Sequence, residues 1–426
     1  MFLWGTATAS YQIEGAVTED GRGPSIWDTF SHTPGKVRDG HTGDVACDHY
    51  HRHTEDIALM TGLGVNAYRF SIAWPRVLPT GRGPVNRAGL DFYDRLVDTL
   101  CEKGIAPVPT LFHWDLPQAL EDEGGWLNRD TSRYFAEYAS VVAERLADRV
   151  RMWITLNEPF VHVAYGYGLG VHAPGRRLMF DALPAAHHQL LGHGLATQAL
   201  RAAGAEQVLI TNNCTPVRPV SDSPEDLAAA ETYDMLHNRL FNEPVLTGAY
   251  PDITAFGVDI PVKSGDLETI AQPLDGLGIN YYNPTRIGGP GEDGLPFRIE
   301  EITGVPLTAF GWPVVPDGLR ELLDGLEARY GDALPPVYIT ENGCSYDGLD
   351  DQERIAYLDG HIQAMKQAKA DVRGYFVWSL LDNFEWAEGY HQRFGLVHVD
   401  FETQERIPKA SYHWLRAFLG GQSTDT

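Results

Sequence analysis

Short runs of β-branched and aromatic residues alternate along this chain with longer stretches in which apolar residues recur at helical spacing. Several of the short runs are almost continuously apolar, which is typical of parallel strands that helices cover on the outside. The strand predictions are residues 3–8, 65–74, 106–114, 151–158, 207–212, 276–282, 337–341 and 374–380. The chain therefore repeats one strand-and-helix unit.

Amphipathic stretches lie between these runs. The helix predictions are residues 87–103, 132–148, 224–240 and 317–330, and a helical tail at 408–419 follows the last strand. Pro408 is suited to the first turn of that tail, because a proline there gives up no intrahelical hydrogen bond.

Eight such alternations predict an α/β fold, a single (β/α)8 TIM barrel in which residues 1–426 form one domain. The length suits one large barrel with insertions, and no linker rich in Pro, Gly or Ser separates two parts. Two connections are long, residues 9–46 after the first strand and 283–315 after the sixth. Because the loops that follow barrel strands lie at the catalytic face, we expect these two to wall a pocket.

Two of the predicted strands end with a glutamate beside an asparagine. The fourth ends in Asn157-Glu158, and the seventh ends in Glu341-Asn342. Since side chains alternate along a strand, we expect Glu341 to share a face with Ile339. A charge at that point costs several kcal/mol of desolvation unless partners or water offset it.

Two carboxyl groups across a cleft are the groups that glycoside hydrolysis requires. One holds a proton and donates it to the leaving oxygen, while the other is ionised and either attacks the anomeric carbon or activates water. Their surroundings must therefore push the two pKa values apart. The alternative, two glutamates at the barrel rim in ordinary salt bridges, stays open at this point.

Composition and charge narrow the choice of partners. The 58 acidic and 33 basic residues give a net charge of −25, which would repel a nucleic-acid backbone and an anionic bilayer, so we expect neither as a partner. The four cysteines are scattered without a CxxC pair, which favours a reducing compartment. No run of about 18 apolar residues and no signal-peptide pattern is present, and we expect a soluble, cytoplasmic protein.

The motifs predict neither a cofactor nor a metal. The glycines are dispersed and form no P-loop or dinucleotide fingerprint. Cys47, His49, His51 and His53 lie close together in the chain, but their spacing matches none of the usual zinc patterns.

Eight short motifs follow one another along nearly the whole chain. They are FLWGTATASYQIEG (2–15), DHYHR (48–52), YRFSIAW (68–74), LFHW (111–114), TLNEP (155–159), NYY (280–282), ITENG (339–343) and DNFEW (382–386). In these motifs the chain resembles family-1 glycoside hydrolases of the β-glucosidase kind. The resemblance implies a retaining β-glucosidase that hydrolyses terminal non-reducing β-D-glucosyl residues of small glucosides or oligosaccharides through a covalent glycosyl-enzyme intermediate.

By that resemblance Glu158 is the general acid/base and Glu341 the nucleophile, with Asn280 among the supporting residues. Arg69, at the end of the second strand, is placed to approach Glu341, where a cation favours the ionised carboxylate. Tyr282 is placed to donate a hydrogen bond to the same group. We expect the two carboxyl groups to lie about 5–5.5 Å apart, the separation typical of retaining enzymes.

The resemblance also implies a shell around the terminal sugar, since a pyranose presents hydroxyls at its rim and C–H bonds on its face. Asn157 would bind the 2-hydroxyl, and Trp378 would stack beneath the ring. The residues that share the 3-, 4- and 6-hydroxyls are Gln12, His113, Glu385 and Trp386. The other expected contacts are Trp114 and Phe394 around the sugar, and His172 and Trp312 on the aglycone side.

Glu385 and Glu388 bear on the charge of the substrate. Two carboxylates in one loop would repel a phosphate on the sugar by several kcal/mol at reduced dielectric. We therefore expect a neutral glucoside rather than a 6-phosphoglucoside. Thioglucosidase relatives lack the acid/base glutamate, so the presence of Glu158 favours ordinary O-glycosides.

Two other classes of protein remain as alternatives, a catalytically silent glycan-binding relative with the same barrel and a structural barrel. A silent relative would be expected to have lost one of the two carboxylates, and both are present in this chain. The sequence leaves the aglycone and the oligomeric state open.

Overall fold

In the computed structural model, which describes residues 1–292 and 294–422, eight parallel strands close into a barrel. Each strand pairs with the next along the chain, and the last pairs with the first. The strands are β1 (Leu3–Ala7), β2 (Ala67–Ser71), β3 (Ala106–Phe112), β4 (Met152–Asn157), β5 (Gln207–Asn213), β6 (Gly276–Asn280), β7 (Val337–Asn342) and β8 (Val372–Trp378). The predicted (β/α)8 architecture is confirmed.

Each strand is followed by a helix that packs on the outside of the barrel. These helices are α1 (His49–Leu63), α2 (Arg87–Glu102), α3 (Asp130–Leu146), α4 (Leu183–Ala202), α5 (Pro224–Asp234), α6 (Pro316–Tyr330), α7 (Gln352–Lys366) and α8 (Ala410–Gln422). A π-helical turn, Met235–Arg239, continues α5 into a further helix at Leu240–Thr247. Within the described residues, no helix is both long and apolar enough to cross a bilayer.

The connections carry shorter elements of their own. Short helices are Ser10–Ile13, Ile26–Ser31, Trp74–Val77, Gln118–Asp122, Pro159–Val161 and Asp266–Ile270, with a π helix at His162–Gly168. Three short strands form a small sheet, Val217–Pro219, Thr285–Gly288 and Arg298–Glu300. Another pair, Val397–Val399 and Arg406–Pro408, is antiparallel.

Side chains fill the interior of the barrel. The interior cluster includes Ala7, Ala67, Val108, Met152, Ile154, Leu209, Tyr338 and Phe376. β6 has a glycine at position 276 because the ring of Tyr338 occupies the space beside it. A Cβ on Gly276 would lie 2.7 Å from that ring. The outward faces of the strands pack against the helices in a larger cluster. The polar residues at the carboxyl ends of the strands therefore stand above a packed interior.

Six of the eight predicted strands extend too far at their carboxyl ends, whereas the predictions for β5 and β7 stop one residue short. β3 ends at Phe112 and β4 at Asn157, one or two residues before the predicted ends. The backbone leaves the strand because Trp114 has φ +75° and Glu158 has φ +47°, a left-handed conformation that a strand cannot contain.

The predicted helix start at Pro408 is wrong. Pro408 ends the short strand Arg406–Pro408, and α8 begins at Ala410. Proline is tolerated there because that strand has a partner on one side only, so the missing N–H breaks no central ladder.

Candidate active site

Glu158 and Glu341 line one cavity of about 660 Å³ at the carboxyl end of the barrel. Glu158 directly follows β4, Glu341 lies in β7, and both side chains are buried. The two residues meet, although they are 183 positions apart in the sequence, because the carboxyl ends of parallel barrel strands share one face.

Strand alternation had led us to expect Glu341 on the same face as Ile339, but the structure places the two side chains on opposite faces. Ile339 packs outward among the helices, whereas the Thr340 hydroxyl donates inward to Oδ1 of Asn280 at 2.7 Å. The register of β7 against both neighbouring strands shifts after Ile339. This bulge turns Glu341 into the cavity beside Thr340, so two successive side chains point inward.

The carboxylate of Glu341 accepts two hydrogen bonds from buried groups. Nη1 of Arg69 donates to Oε1 at 2.6 Å, and the hydroxyl of Tyr282 donates to Oε2 at 2.7 Å. Burial and the adjacent Glu341 hold the pKa of Tyr282 well above its usual range, so the phenol keeps the proton that it donates. Both contacts stabilise a negative charge on Glu341 and fix the direction of its oxygen atoms.

Glu158 has a different environment. Burial, and next to it the charge of Glu341, raises its pKa to about 8. Two side-chain amides oppose this shift: Nδ2 of Asn280 donates to Oε1 at 2.7 Å, and Nδ2 of Asn213 donates to the same oxygen at 3.2 Å. Near neutral pH the group therefore holds a proton that it can give up.

Asn157 joins the two carboxylates through their supporting residues. Its Oδ1 accepts from Nη2 of Arg69 at 2.5 Å and from Nδ2 of Asn280 at 3.0 Å. Its Nδ2 lies 3.0 Å from Nε2 of His113. The side chain thus positions its neighbours, and its contact with the 2-hydroxyl of a sugar stays a prediction.

Oε1 of Gln12 and Nδ1 of His113 are among the buried polar atoms near the cavity that have no hydrogen-bond partner among the described residues. Burial and the charge of Arg69 keep the pKa of His113 well below its usual value, so the ring is neutral. Buried polar groups without a partner are costly, and sugar hydroxyls are suitable partners for both atoms.

Glu385 is held by Gln12, whose Nε2 lies 3.3 Å from its Oε2. Burial, followed by the charges of Glu341 and Glu158, raises the pKa of Glu385 to about 8. Glu388 in the same loop pairs with Arg38 at 3.3 Å. The electrostatic repulsion that we expected toward a sugar phosphate is therefore weaker than the sequence argument assumed, because burial disfavours the charged form of Glu385 and Glu388 is paired with Arg38.

Aromatic rings form one side of the site. Trp378 and Trp386 each lie with ring centroids 5.9 Å from His113, at an interplanar angle of 26°. Trp114 packs on Trp386 at 4.7 Å, and its indole N–H donates to the carbonyl of Asn157 at 2.8 Å. Trp114 can therefore offer a sugar its ring but not its N–H group.

The outer end of the cavity lies beyond these rings. The predicted loop at 283–315 does wall it: Trp312 stacks on Phe310 at 4.5 Å and packs against Phe394 at 5.8 Å. His172 lines the cavity from the loop after β4, and burial lowers its pKa to about 4. The loop at 9–46, which the structure describes throughout and which we also expected to wall the pocket, contributes no residue to the lining of the cavity. It packs behind the site instead, where Trp27 contacts Trp386 with ring centroids 4.5 Å apart.

Asn213 and His237 also line the cavity, and the sequence analysis missed both. Asn213 is the last residue of β5, a strand-end asparagine like Asn157 and Asn280, and that position was an available signal. His237 lies in the π-helical turn after α5, and its Nε2 is 2.8 Å from Oδ1 of Asn213. No local pattern marks His237, because only the packing of that turn against β5 brings it to the site.

Comparison with known proteins agrees with this arrangement. Residues 1–423 match the model of the family described as glycosyl hydrolase family 1. The chain belongs to glycosyl hydrolase family 1. Curated relatives in that family include thermostable beta-glucosidase B of Thermobispora bispora, 52% identical over 97% of this chain and 89% of that protein. Beta-glucosidase A of Thermotoga maritima is 47% identical over 97% of this chain and 95% of that protein.

Solved structures of family 1 enzymes superpose closely on this chain. The family 1 b-glucosidase from Thermotoga maritima in complex with isofagomine lactam is 46% identical, with a TM-score of 0.93 over 98% of this chain and 97% of that one. The GH1 beta-glucosidase from Exiguobacterium antarcticum is 44% identical, with a TM-score of 0.96 over 100% and 98% of the two chains.

Proposed function

We propose that this chain is a retaining β-glucosidase that hydrolyses terminal non-reducing β-D-glucosyl residues of small glucosides or oligosaccharides. Relatives that are named for this activity support the proposal. Among them is 1,4-beta-D-glucan glucohydrolase of Thermotoga neapolitana, which is 46% identical to this chain. We also propose that residues 1–426 form one catalytic domain. The cytoplasmic location stays a prediction.

The unequal state of the two carboxyl groups carries the proposal. Glu341 accepts a charge-assisted hydrogen bond from Arg69 and a second bond from Tyr282, which suits an ionised nucleophile. Glu158 lies in the same cavity with its pKa raised to about 8, which suits a proton donor near neutral pH. A separation of about 5–5.5 Å between the two groups stays a prediction that retention requires.

In the first step, an oxygen of Glu341 attacks C1 of the terminal glucosyl residue. Glu158 gives its proton to the glycosidic oxygen, the bond from C1 to that oxygen breaks, and the aglycone leaves as an alcohol. A C1–O bond to Glu341 has then formed on the opposite face of the sugar.

In the second step, Glu158 acts as a base. Ester formation removes the negative charge of Glu341, which is the second cause of the raised pKa of Glu158. Glu158, now ionised, takes a proton from a water molecule whose oxygen attacks C1 and displaces Glu341. Two inversions leave the product with the β configuration of the substrate.

The groups around the cavity suit a neutral glucosyl residue. Oε1 of Gln12, Nδ1 of His113 and the carboxyl group of Glu385 offer an acceptor, a donor and a titratable pair of oxygens for its hydroxyls. Trp378 offers a ring face for its C–H bonds.

Proton NMR of the sugar released from an aryl β-glucoside, recorded in the first minutes, tests the proposal. We expect β-glucose to appear before mutarotation produces the α anomer. First appearance of α-glucose would contradict retention. Absence of hydrolysis together with binding of the glucoside would instead support the catalytically silent alternative.

A matched pair of variants makes this test specific to the site. Glu341→Gly should abolish hydrolysis, whereas Glu321→Gln should not change it, because Glu321 is an exposed carboxylate on α6 that pairs with Arg218.

A further inference from the structure

We propose that Asp39, His41 and His391 bind a divalent zinc ion, and that the ion ties the loop after β1 to the loop after β8. One ring nitrogen of each histidine and one carboxylate oxygen of Asp39 all lie within 4.8 Å of one another. None of the three lines the catalytic cavity, so the proposal does not depend on the glucosidase activity. This proposal revises the prediction that the protein binds no metal, which was based on Cys47, His49, His51 and His53.

The candidate ligand atoms lie within 4.8 Å of one another and have to move to reach the spacing that zinc requires. A tetrahedral zinc ion with bonds of about 2.0–2.1 Å holds its ligand atoms about 3.3 Å apart. Nε2 of His391 lies 2.7 Å from Oδ2 of Asp39, and the rings of His41 and His391 are nearly parallel, at 22°, with centroids 5.3 Å apart. Small side-chain rotations therefore bring three donors around one ion, with water as the fourth ligand.

The donor set selects the kind of metal. Two imidazoles with one carboxylate suit zinc and its transition-metal neighbours. Calcium and magnesium prefer sites made of oxygen atoms, and only Asp39 supplies oxygen here. The net charge of −25 also favours a cation at the surface of this protein.

The two loops already meet at this point, so little chain entropy is lost when an ion binds. The Tyr390 amide donates to Nδ1 of His41 at 3.2 Å, a bond that the ring gives up when it binds the ion, because the nitrogen that does not bind the metal carries the ring proton. Gly389 makes the close approach of His41 possible, because a Cβ there would lie 2.4 Å from Nδ1.

The ion would act on the rim of the catalytic cavity. Ala387 and Glu388 line that cavity, and they precede His391 in the same loop. Zinc would add a direct link between this loop and Asp39 and His41, beside the Arg38–Glu388 ion pair that also joins the two loops. Because zinc binds the folded loops, it should raise the midpoint of thermal unfolding.

Calorimetric titration of the untagged, chelator-treated protein with zinc chloride tests the proposal. We expect one ion per chain in the wild type and at least tenfold weaker binding in both His391→Ala and Asp39→Asn. The side chains of His391 and Asp39 are 32% and 63% exposed, so both variants should keep the wild-type melting temperature without zinc. X-ray absorption of the zinc complex should show two imidazole ligands in the wild type.

His51→Ala is the matched control. The two ring nitrogens of His51 contact Asp48 at 2.6 Å and Glu19 at 2.9 Å on opposite sides, so these groups cannot converge on one ion. Wild-type affinity in His391→Ala, or an equal loss in His51→Ala, would overturn the site. A melting temperature that saturating zinc leaves unchanged would overturn the link between the loops. Glucosidase activity, measured in parallel, reports separately on the catalytic proposal.

Discussion

Nδ2 of Asn213 donates a hydrogen bond to Oε1 of Glu158 at 3.2 Å, while Oδ1 of the same amide lies 2.8 Å from Nε2 of His237. The neutral ring of His237, whose pKa burial lowers to about 3, thereby sets which end of the amide faces Glu158. Asn280 donates to the same oxygen at 2.7 Å. The two amide donors favour the ionised form of Glu158 and oppose the effect of burial, which raises its pKa to about 8.

The wild-type enzyme should lose activity on the alkaline side. If Glu158 donates the proton, kcat/KM for a glucoside with a poor leaving group should fall as the pH rises through about 8. A pH–rate profile measures this, and an undiminished rate well above that pH would contradict the assignment. Glu385 has a similar pKa, so the alkaline fall should persist in Glu385→Gln if Glu158 is its source.

Asn213→Ala should move that alkaline limb to higher pH. Loss of a hydrogen bond to the charged form raises the pKa of Glu158, by about one unit if the bond is worth about 1.5 kcal/mol. The pH–rate profile of the variant checks the shift. Asn212→Ala is the control, because Asn212 is the neighbouring buried asparagine and its Nδ2 donates to Oδ1 of Asn242 at 2.7 Å rather than to Glu158. An unchanged limb in Asn213→Ala would exclude a positioning role.

Azide should distinguish the roles of the two glutamates. Glu341→Gly removes the attacking group, and we expect hydrolysis to fall about 10⁴-fold or more. Azide can then displace an activated leaving group directly and give the α-glucosyl azide.

Glu158→Ala should lower the rate for a poor leaving group by about 10²–10⁴-fold. Azide then attacks the glycosyl-enzyme intermediate without needing a base and gives the β-glucosyl azide. NMR of the products decides, and exchanged configurations would mean exchanged roles.

Glu385→Ala should lower kcat/KM for the glucoside by about 10²-fold or more, because it leaves a hydroxyl of the bound sugar without its carboxyl partner. Glu385→Gln should lose less, since an amide still accepts and donates hydrogen bonds. Kinetics with the glucoside and with its 6-phosphate compare the two substrates. A wild-type enzyme that cleaves the 6-phosphoglucoside faster would contradict the preference for a neutral sugar.

Lys409→Met should destabilise the fold. Nζ of Lys409 lies 2.8 Å from Oδ1 of buried Asp382, and Lys409 with its cationic neighbours lowers the pKa of that carboxyl group to about 2. Removing one partner of a buried pair costs about 3–5 kcal/mol of unfolding free energy. Denaturant unfolding measures it, with Arg373→Met as control, because the Arg373–Asp371 pair is exposed and such pairs contribute about 0–1 kcal/mol. Equal effects of the two changes would contradict the prediction.

The different surroundings of Glu158 and Glu341 could be predicted only in part from the sequence. Arg69 and Tyr282 were expected beside Glu341, and both donate to it. Asn213 stands at a strand end and was overlooked. His237 was out of reach, because the π-helical turn that carries it to Asn213 follows from packing rather than from a local pattern.

The sequence alone predicts the alternation of strands and helices, since strands covered on both sides are almost continuously apolar. It also placed two glutamates at strand ends and carried the family motifs. The folded structure was needed to show that a bulge turns Glu341 inward and that burial raises the pKa of Glu385. It also decided that Asp39 meets His391, 352 positions away. Bulges, pKa values and such clusters depend on burial and on contacts between distant residues, which a local pattern does not contain.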